Sequence, residues 1–150
     1  MPSIQGANRI LQLAEVMRLI HSKESLPAGW CPPILCGDLN ATEHSDEIRY
    51  VKGDHAAITS PGDMPASSPL AMVDAWPSVN PGAPPIEGHT MLPSNRHAGP
   101  GQISRRIDYV FVGAERNGGI GRVEECFVVG DDRFEGEWPS DHQGYAQQLS

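Results

Sequence analysis

The chain has little apolar material, few cations and few cysteines, and each shortage excludes something. Only 39% of its 150 residues are hydrophobic. No stretch approaches the ~20 consecutive apolar residues that a membrane-spanning helix requires, so no membrane span is expected. Lys and Arg number 11 against 19 Asp and Glu, a formal net charge of −8. That balance lacks the basic footprint of a protein drawn onto nucleic acid regardless of sequence. A phosphate ester could still approach if a metal ion offset the carboxylates around it. The three cysteines, Cys31, Cys36 and Cys126, are an odd number without Cys-x-x-Cys or His-x-His spacing, which argues against a zinc site. Cys36 lies in an apolar run and reads as a small buried hydrophobe. Met1-Pro2-Ser3 leads straight into a helix pattern, with no signal-peptide region before it.

What the chain has in quantity is turn formers. Its 16 Gly and 14 Pro make up a fifth of the residues, so short strands joined by long connections are expected rather than a helical bundle. A chain of this length can bury roughly two-thirds of its unfolded surface, and one domain over residues 1–150 is the reading. Ile4, Ala7, Ile10, Leu11, Ala14, Met17 and Ile20 recur at helical spacing up to about Ser22. Residues 25 to 33 hold too much Pro and Gly to continue that helix. Ile34-Leu35-Cys36 predicts a strand covered on both faces, stopping at Gly37. Residues 43 to 52 predict a short helix with Thr42 or Ser45 as its N-cap. Residues 54 to 69 read as irregular, 70 to 76 as a brief helix ended by Pro77, and 89 to 92 as one short strand. Alternation predicts strands over 107 to 112, 123 to 129 and 143 to 149.

Three polar clusters fall at the edges of these strands, where a rigid scaffold can present charge to a ligand. Gly37-Asp38-Leu39-Asn40 places a carboxylate and a carboxamide two apart, able to orient a water and to donate to a phosphoryl oxygen. The same four residues also make an ordinary turn, with Asp38 accepting from backbone amides. Asp108 sits inside an apolar strand and needs a partner, because an unpaired carboxylate there would cost several kcal/mol. Adjacent Arg106 is one choice. The ring N–H of His142 is the other, and it would fix the imidazole tautomer. In Ser140-Asp141-His142 the two side chains diverge on an extended backbone, so Asp141 could ligate a hard cation while His142 addresses a phosphoryl group. A solvated turn is the plain alternative.

Taken in order, Gly37-Asp38-Leu39-Asn40-Ala41, Arg106-Ile107-Asp108-Tyr109-Val110-Phe111 and Trp138-Pro139-Ser140-Asp141-His142 resemble the motifs of the endonuclease/exonuclease/phosphatase superfamily. That resemblance implies the deoxyribonuclease-I-like fold: an α+β chain forming half of a four-layer α/β sandwich, its sheet mostly antiparallel with helices on one face. It implies a divalent-metal-dependent phosphoester hydrolase, nuclease or phosphatase, using Mg²⁺ or Mn²⁺. Asp38 would position or activate the attacking water and help hold the metal. Asn40 would contact the phosphate, Asp108 would pair with His142, His142 would stabilise the pentacovalent phosphorus, and Asp141 would ligate the metal. Thr90 and Asn95 fall where such proteins often line the substrate cleft. The substrate would be nucleic acid or a small or lipid phosphoester.

The chain also departs from the family pattern. Members usually carry an Asn, a metal-binding Glu and often another His upstream, whereas here the first helix is followed at once by the strand leading to Asp38. The expectation is that only the C-terminal half of the family's domain is present, that the chain alone is inactive or weakly active, and that it pairs with an N-terminal half or with itself. A catalytically dead binding or self-associating module is the alternative function.

Overall fold

A computed structural model describes residues 4–23, 30–54 and 67–150. The predicted loop over 25 to 33 and the irregular stretch over 54 to 69 lie largely outside these. Helix α1 spans Ile4–Ser22, as its periodicity predicts. Ile10, Leu13, Ala14 and Met17 form its buried stripe. Helix α2, Asp46–Val51, starts at Ser45, whose hydroxyl accepts from Ile48 N, and carries Asp46 and Glu47 in its first turn. The two helices pack together with Ile48, Tyr50 and Val51 in the seam. Arg9 Nη2 meets the buried Glu47 carboxylate at 2.7 Å, so this junction is ionic as well as apolar.

Strand β1 (Ile34–Asp38), β2 (Val73–Asp74) and β3 (Asp108–Val112) form one antiparallel sheet in the order β1-β3-β2. Tyr109 and Phe111 point to one face, where they stack at 5.4 Å and join the helical core with Leu35 packed beside them. The alternating residues Asp108, Val110 and Val112 must then face the other way, with their β1 partners Asp38, Cys36 and Ile34. Strands β4 (Val123–Val129) and β5 (Gly144–Leu149) make a second, two-stranded antiparallel sheet. Helix α3, Ala75–Val79, joins the two sheets: the Asn80 amide at its end donates to the Cys126 carbonyl at 2.9 Å, and the Trp76 ring lies 5.8 Å from that of Tyr145. The chain is thus a mixed α and β protein with small antiparallel sheets and few helices. Among the described residues no helix is long and apolar enough to cross a membrane.

Three sequence expectations are corrected here. Strand β1 is covered on one face only, and Cys36 is exposed, because the helices occupy one side of the sheet and little covers the outer strand on the other. The helix expected over 70 to 76 is instead β2 followed by α3, and Pro77 lies inside α3 rather than ending it. A proline in the first helical turn costs no hydrogen bond, since the amides there have no partner within the helix. The strand expected over 89 to 92 shrinks to a single bridge between Met91 and Arg105.

Candidate functional site

The register of β1 on β3 puts Asp38 opposite Asp108. Leu39 N donates to Ile107 O at 2.9 Å, so the preceding rung is the non-hydrogen-bonded kind, in which facing side chains approach most closely. Two carboxylates are therefore held side by side at the end of a sheet. Like charges directly opposite on one face repel. His142 adjoins the pair: its Nδ1 lies 3.0 Å from Asp108 Oδ2. One potential ligand atom from each of Asp38, Asp108 and His142 lies within 4.8 Å of the other two. Asp38 is exposed, while Asp108 and His142 are half-buried, so the group opens to solvent.

Each member is oriented by its neighbours. Asn40 adopts a left-handed backbone, φ 48°, which folds the chain back as β1 ends. Its N–H donates to Asp38 Oδ1 at 2.7 Å and its side-chain amide to Asp38 Oδ2 at 3.2 Å. The turn that the four residues 37 to 40 permit is present, and it locks the Asp38 carboxylate in place. Thr90 braces Asp108. Its hydroxyl oxygen receives Ile107 N at 3.3 Å and Asp108 N at 3.2 Å, leaving the hydroxyl proton to go to Asp108 Oδ2 at 2.6 Å. Asp108 Oδ2 thus faces both Thr90 and His142, while Asp108 Oδ1 makes no protein hydrogen bond among the described residues. The Tyr109 hydroxyl reaches Ala41 O at 2.8 Å and Arg106 O at 3.0 Å, clamping the turn after Asn40 to the segment before Asp108. Burial raises the Tyr109 pKa well above that of a free phenol, so the clamp stays protonated.

The loop carrying His142 is held from below. Gln143 N donates to Thr90 O at 2.7 Å, and the Asn95 side-chain amide donates to Ser140 O at 2.8 Å. Thr90 and Asn95 are therefore not cleft-lining residues. Thr90 is fully buried and Asn95 nearly so, with their polar atoms committed to the scaffold. Asp141 also departs from its expected place: it is exposed, takes a contact from the Ser140 hydroxyl at 3.2 Å, and stays outside the Asp38, Asp108 and His142 group. Its divergence from His142 follows from their adjacency on the backbone.

Arg106 is not the partner of Asp108. Its guanidinium makes a two-pronged contact with Asp74, Nη1 to Oδ1 at 2.8 Å and Nη2 to Oδ2 at 2.7 Å, with Nε 3.4 Å from Glu43. It also lies 4.6 Å above the Tyr109 ring. Burial opposes the guanidinium charge, but the Asp74 carboxylate outweighs it and lifts the pKa above the ordinary arginine value. Neither Asp74 nor Glu43 stands out in the sequence as part of this network. The one signal was a lone carboxylate, Asp74, inside the apolar run from Leu70 to Trp76.

A hard divalent cation suits the donor chemistry of the site: two carboxylates crowded on one rung, one with an uncommitted oxygen, beside an imidazole. The three free cysteines offer no competing soft site among the described residues, and burial first of all pushes the Cys126 thiol up to about 11, keeping it protonated. Comparisons with protein families, with curated proteins and with solved structures find no match to this chain. The meaning of the site must come from its geometry.

Proposed function

We propose that the chain carries the catalytic residues of a metal-dependent phosphoester hydrolase of the endonuclease/exonuclease/phosphatase type, with a deoxyribonuclease-I-like arrangement of its sheets. The observation that carries this reading is the 3.0 Å contact between Asp108 and His142 beside a second carboxylate, Asp38. These come from chain segments far apart, and their meeting at one sheet end is what in-line attack on phosphorus requires: an oriented base or water-binding carboxylate and an imidazole turned toward the developing charge.

In this reading Asp38 orients the attacking water, its own oxygens held by the Asn40 turn. The Asn40 amide has two N–H groups. One serves Asp38 and the other is available to a phosphoryl oxygen. Asp108 fixes the His142 ring through Nδ1, leaving Nε2 to address the reacting group. A bound Mg²⁺ or Mn²⁺ would be held by Asp38 and by the open oxygen of Asp108, and would supply charge neutralisation at the phosphoryl oxygens. The substrate is a phosphoester, from nucleic acid or from a small or lipid molecule.

The test is hydrolysis of bis(p-nitrophenyl) phosphate and of DNA with Mg²⁺ or Mn²⁺ by the purified chain, alone and extended upstream, beside His142→Ala. Metal-dependent turnover lost in the variant supports the reading. Turnover that survives His142→Ala, or none on any phosphoester, removes it.

A second reading, an associating module, is favoured by one row of residues. Ile34, Val112 and Val73 share a rung across the sheet on the face away from the helices, and the outer two are 47% and 42% exposed. Self-association or pairing with a further sheet would cover them. Light scattering on the purified chain, beside Ile34→Lys, separates a dimer closed through this row from a monomer.

A further inference from the structure

A cleft of about 700 Å³ begins at Asp38 and Asn40 and runs between α1 and the segment before β3. Two guanidinium groups line it, and they differ in one respect. Arg9 is neutralised, since its Nε and Nη2 both meet the Glu47 carboxylate. Arg105 meets no carboxylate among the described residues. Its Nη2 donates to the Gln102 side-chain oxygen at 2.7 Å, and Nε and Nη2 both approach Met91 Sδ at 3.4 Å. Neutral acceptors orient this cation without discharging it. The backbone is equally fixed: Arg105 N donates to Met91 O, and Arg105 O accepts from Thr90 N and Met91 N. Arg105 is thus tied to the residue that braces Asp108.

In a chain whose net charge of −8 repels anions, Arg105 is an oriented cation with no direct carboxylate contact among the described residues, placed in the same cleft as Asp38, and it can receive an anion from outside. A planar guanidinium with free donors matches the oxygens of a phosphate. Leu13, Val16 and Leu39 give the cleft an apolar wall suited to the organic body of a ligand. We propose that this cleft is a subsite for a second phosphate of the substrate, next to the one that reacts, with Arg105 as its anchor. The proposal rests on the phosphoester reading of Asp38, Asp108 and His142, and it narrows the substrate to esters bearing two phosphates rather than an isolated monoester. A nucleotide strand and a phosphorylated cyclitol both supply that chemistry.

Calorimetric titration of the full chain, without metal and again with Ca²⁺, tests it using three probes: thymidine 3′,5′-bisphosphate, myo-inositol 1,4-bisphosphate and thymidine 5′-monophosphate. At least one bisphosphate should bind more tightly than the monophosphate, and which one does so identifies the source. Arg105→Ala should weaken that bisphosphate about tenfold while leaving the monophosphate unchanged, as expected for one lost charged contact. Arg105→Lys, which keeps the charge but not the fork, should fall between. Equal affinity for the bisphosphates and the monophosphate, no binding of any probe, or bisphosphate binding indifferent to Arg105→Ala in a variant with the wild-type circular dichroism spectrum would each overturn the subsite. The two readings fail separately. Arg105-dependent binding without hydrolysis of any phosphoester leaves the subsite and removes the hydrolase, whereas His142-dependent hydrolysis with Arg105-independent binding does the reverse.

Discussion

Arg106 and Asp108 stand two positions apart, yet each pairs in a different setting. Arg106 and Asp74 are almost sealed off, with side chains 6% and 3% exposed, and the guanidinium has Asp74 on its fork, Glu43 near Nε and Tyr109 beneath it. Asp108 and His142 are each 19% exposed and share a single contact. One pair is closed on itself: Asp74 fills the guanidinium fork and Glu43 lies near Nε. The other keeps a carboxylate oxygen and a ring nitrogen, His142 Nε2, without a hydrogen bond among the described residues. A buried pair whose charges meet each other fixes geometry and offers a ligand little. A half-open pair joined by one contact adds less to the fold than a two-pronged buried one, and its spare donors and acceptors are what a substrate would use.

The sharpest way to break this contrast is to remove one partner of the closed pair. Asp74→Ala strands the Arg106 cation in a buried site, and a loss of about 3–5 kcal/mol of unfolding free energy is expected. Urea denaturation followed by circular dichroism measures it. A loss comparable to that of a surface substitution would mean that the network is looser than its distances imply. In the open pair the larger loss should be of activity. His142→Ala removes one of two side-chain partners of Asp108 and is expected to cost about 1–3 kcal/mol, while reducing phosphoester hydrolysis by about a hundredfold or more. Large destabilisation with proportionate loss of activity would make His142 a structural residue and erase the distinction.

The two settings were not equally visible in the sequence. Local pattern delivered α1 at Ile4–Ser22 and β4 at Val123–Val129, because periodicity is written into consecutive residues. The Asp38, Asp108 and His142 group was visible through short motifs at strand ends. The Arg106 and Asp74 pair was not, since it joins positions 32 residues apart and no local pattern says which carboxylate will meet the guanidinium. The segment from 70 to 76 was misread for the same reason: its two-residue strand exists only because β3 offers an edge to pair with. Cys36 failed in a related way, as exposure depends on what packs over a strand and not on the strand itself. Thr90 and Asn95, expected along the cleft, are buried and brace the scaffold instead. Polar residues among turn formers look alike on paper, and only the third dimension separates those facing solvent from those bracing a loop from beneath.

Thr90 offers a finer test of how the open pair is held. Thr90→Val removes the acceptor for two backbone amides and the donor to Asp108, at an expected cost of about 1–3 kcal/mol. Thr90→Ser, which keeps the hydroxyl, should recover most of it. Two-dimensional ¹⁵N spectra of the His142 ring add a readout beyond stability. Loss of a single imidazole tautomer in Thr90→Val, with its return in Thr90→Ser, would show the brace acting through Asp108. Identical ring signals in all three proteins would confine Thr90 to packing.

The smallest effect should come from the exposed member of the group. Asp38→Asn keeps an oxygen for the Asn40 backbone N–H, gives up the longer contact from the Asn40 side chain, and removes one of two like charges on the rung shared with Asp108. In a chelator, relief of that repulsion should stabilise the protein by a few tenths of a kcal/mol, up to about 1. With Mg²⁺ present the order should reverse, because a cation that binds only the folded chain stabilises it in proportion to its affinity, and the variant has lost a ligand. Thermal unfolding of both proteins, with chelator and across a Mg²⁺ series, reads the crossing directly. If Asp38→Asn gains as much from Mg²⁺ as the parent does, the two carboxylates are not where the cation sits, and the open side of the comparison loses its chemistry.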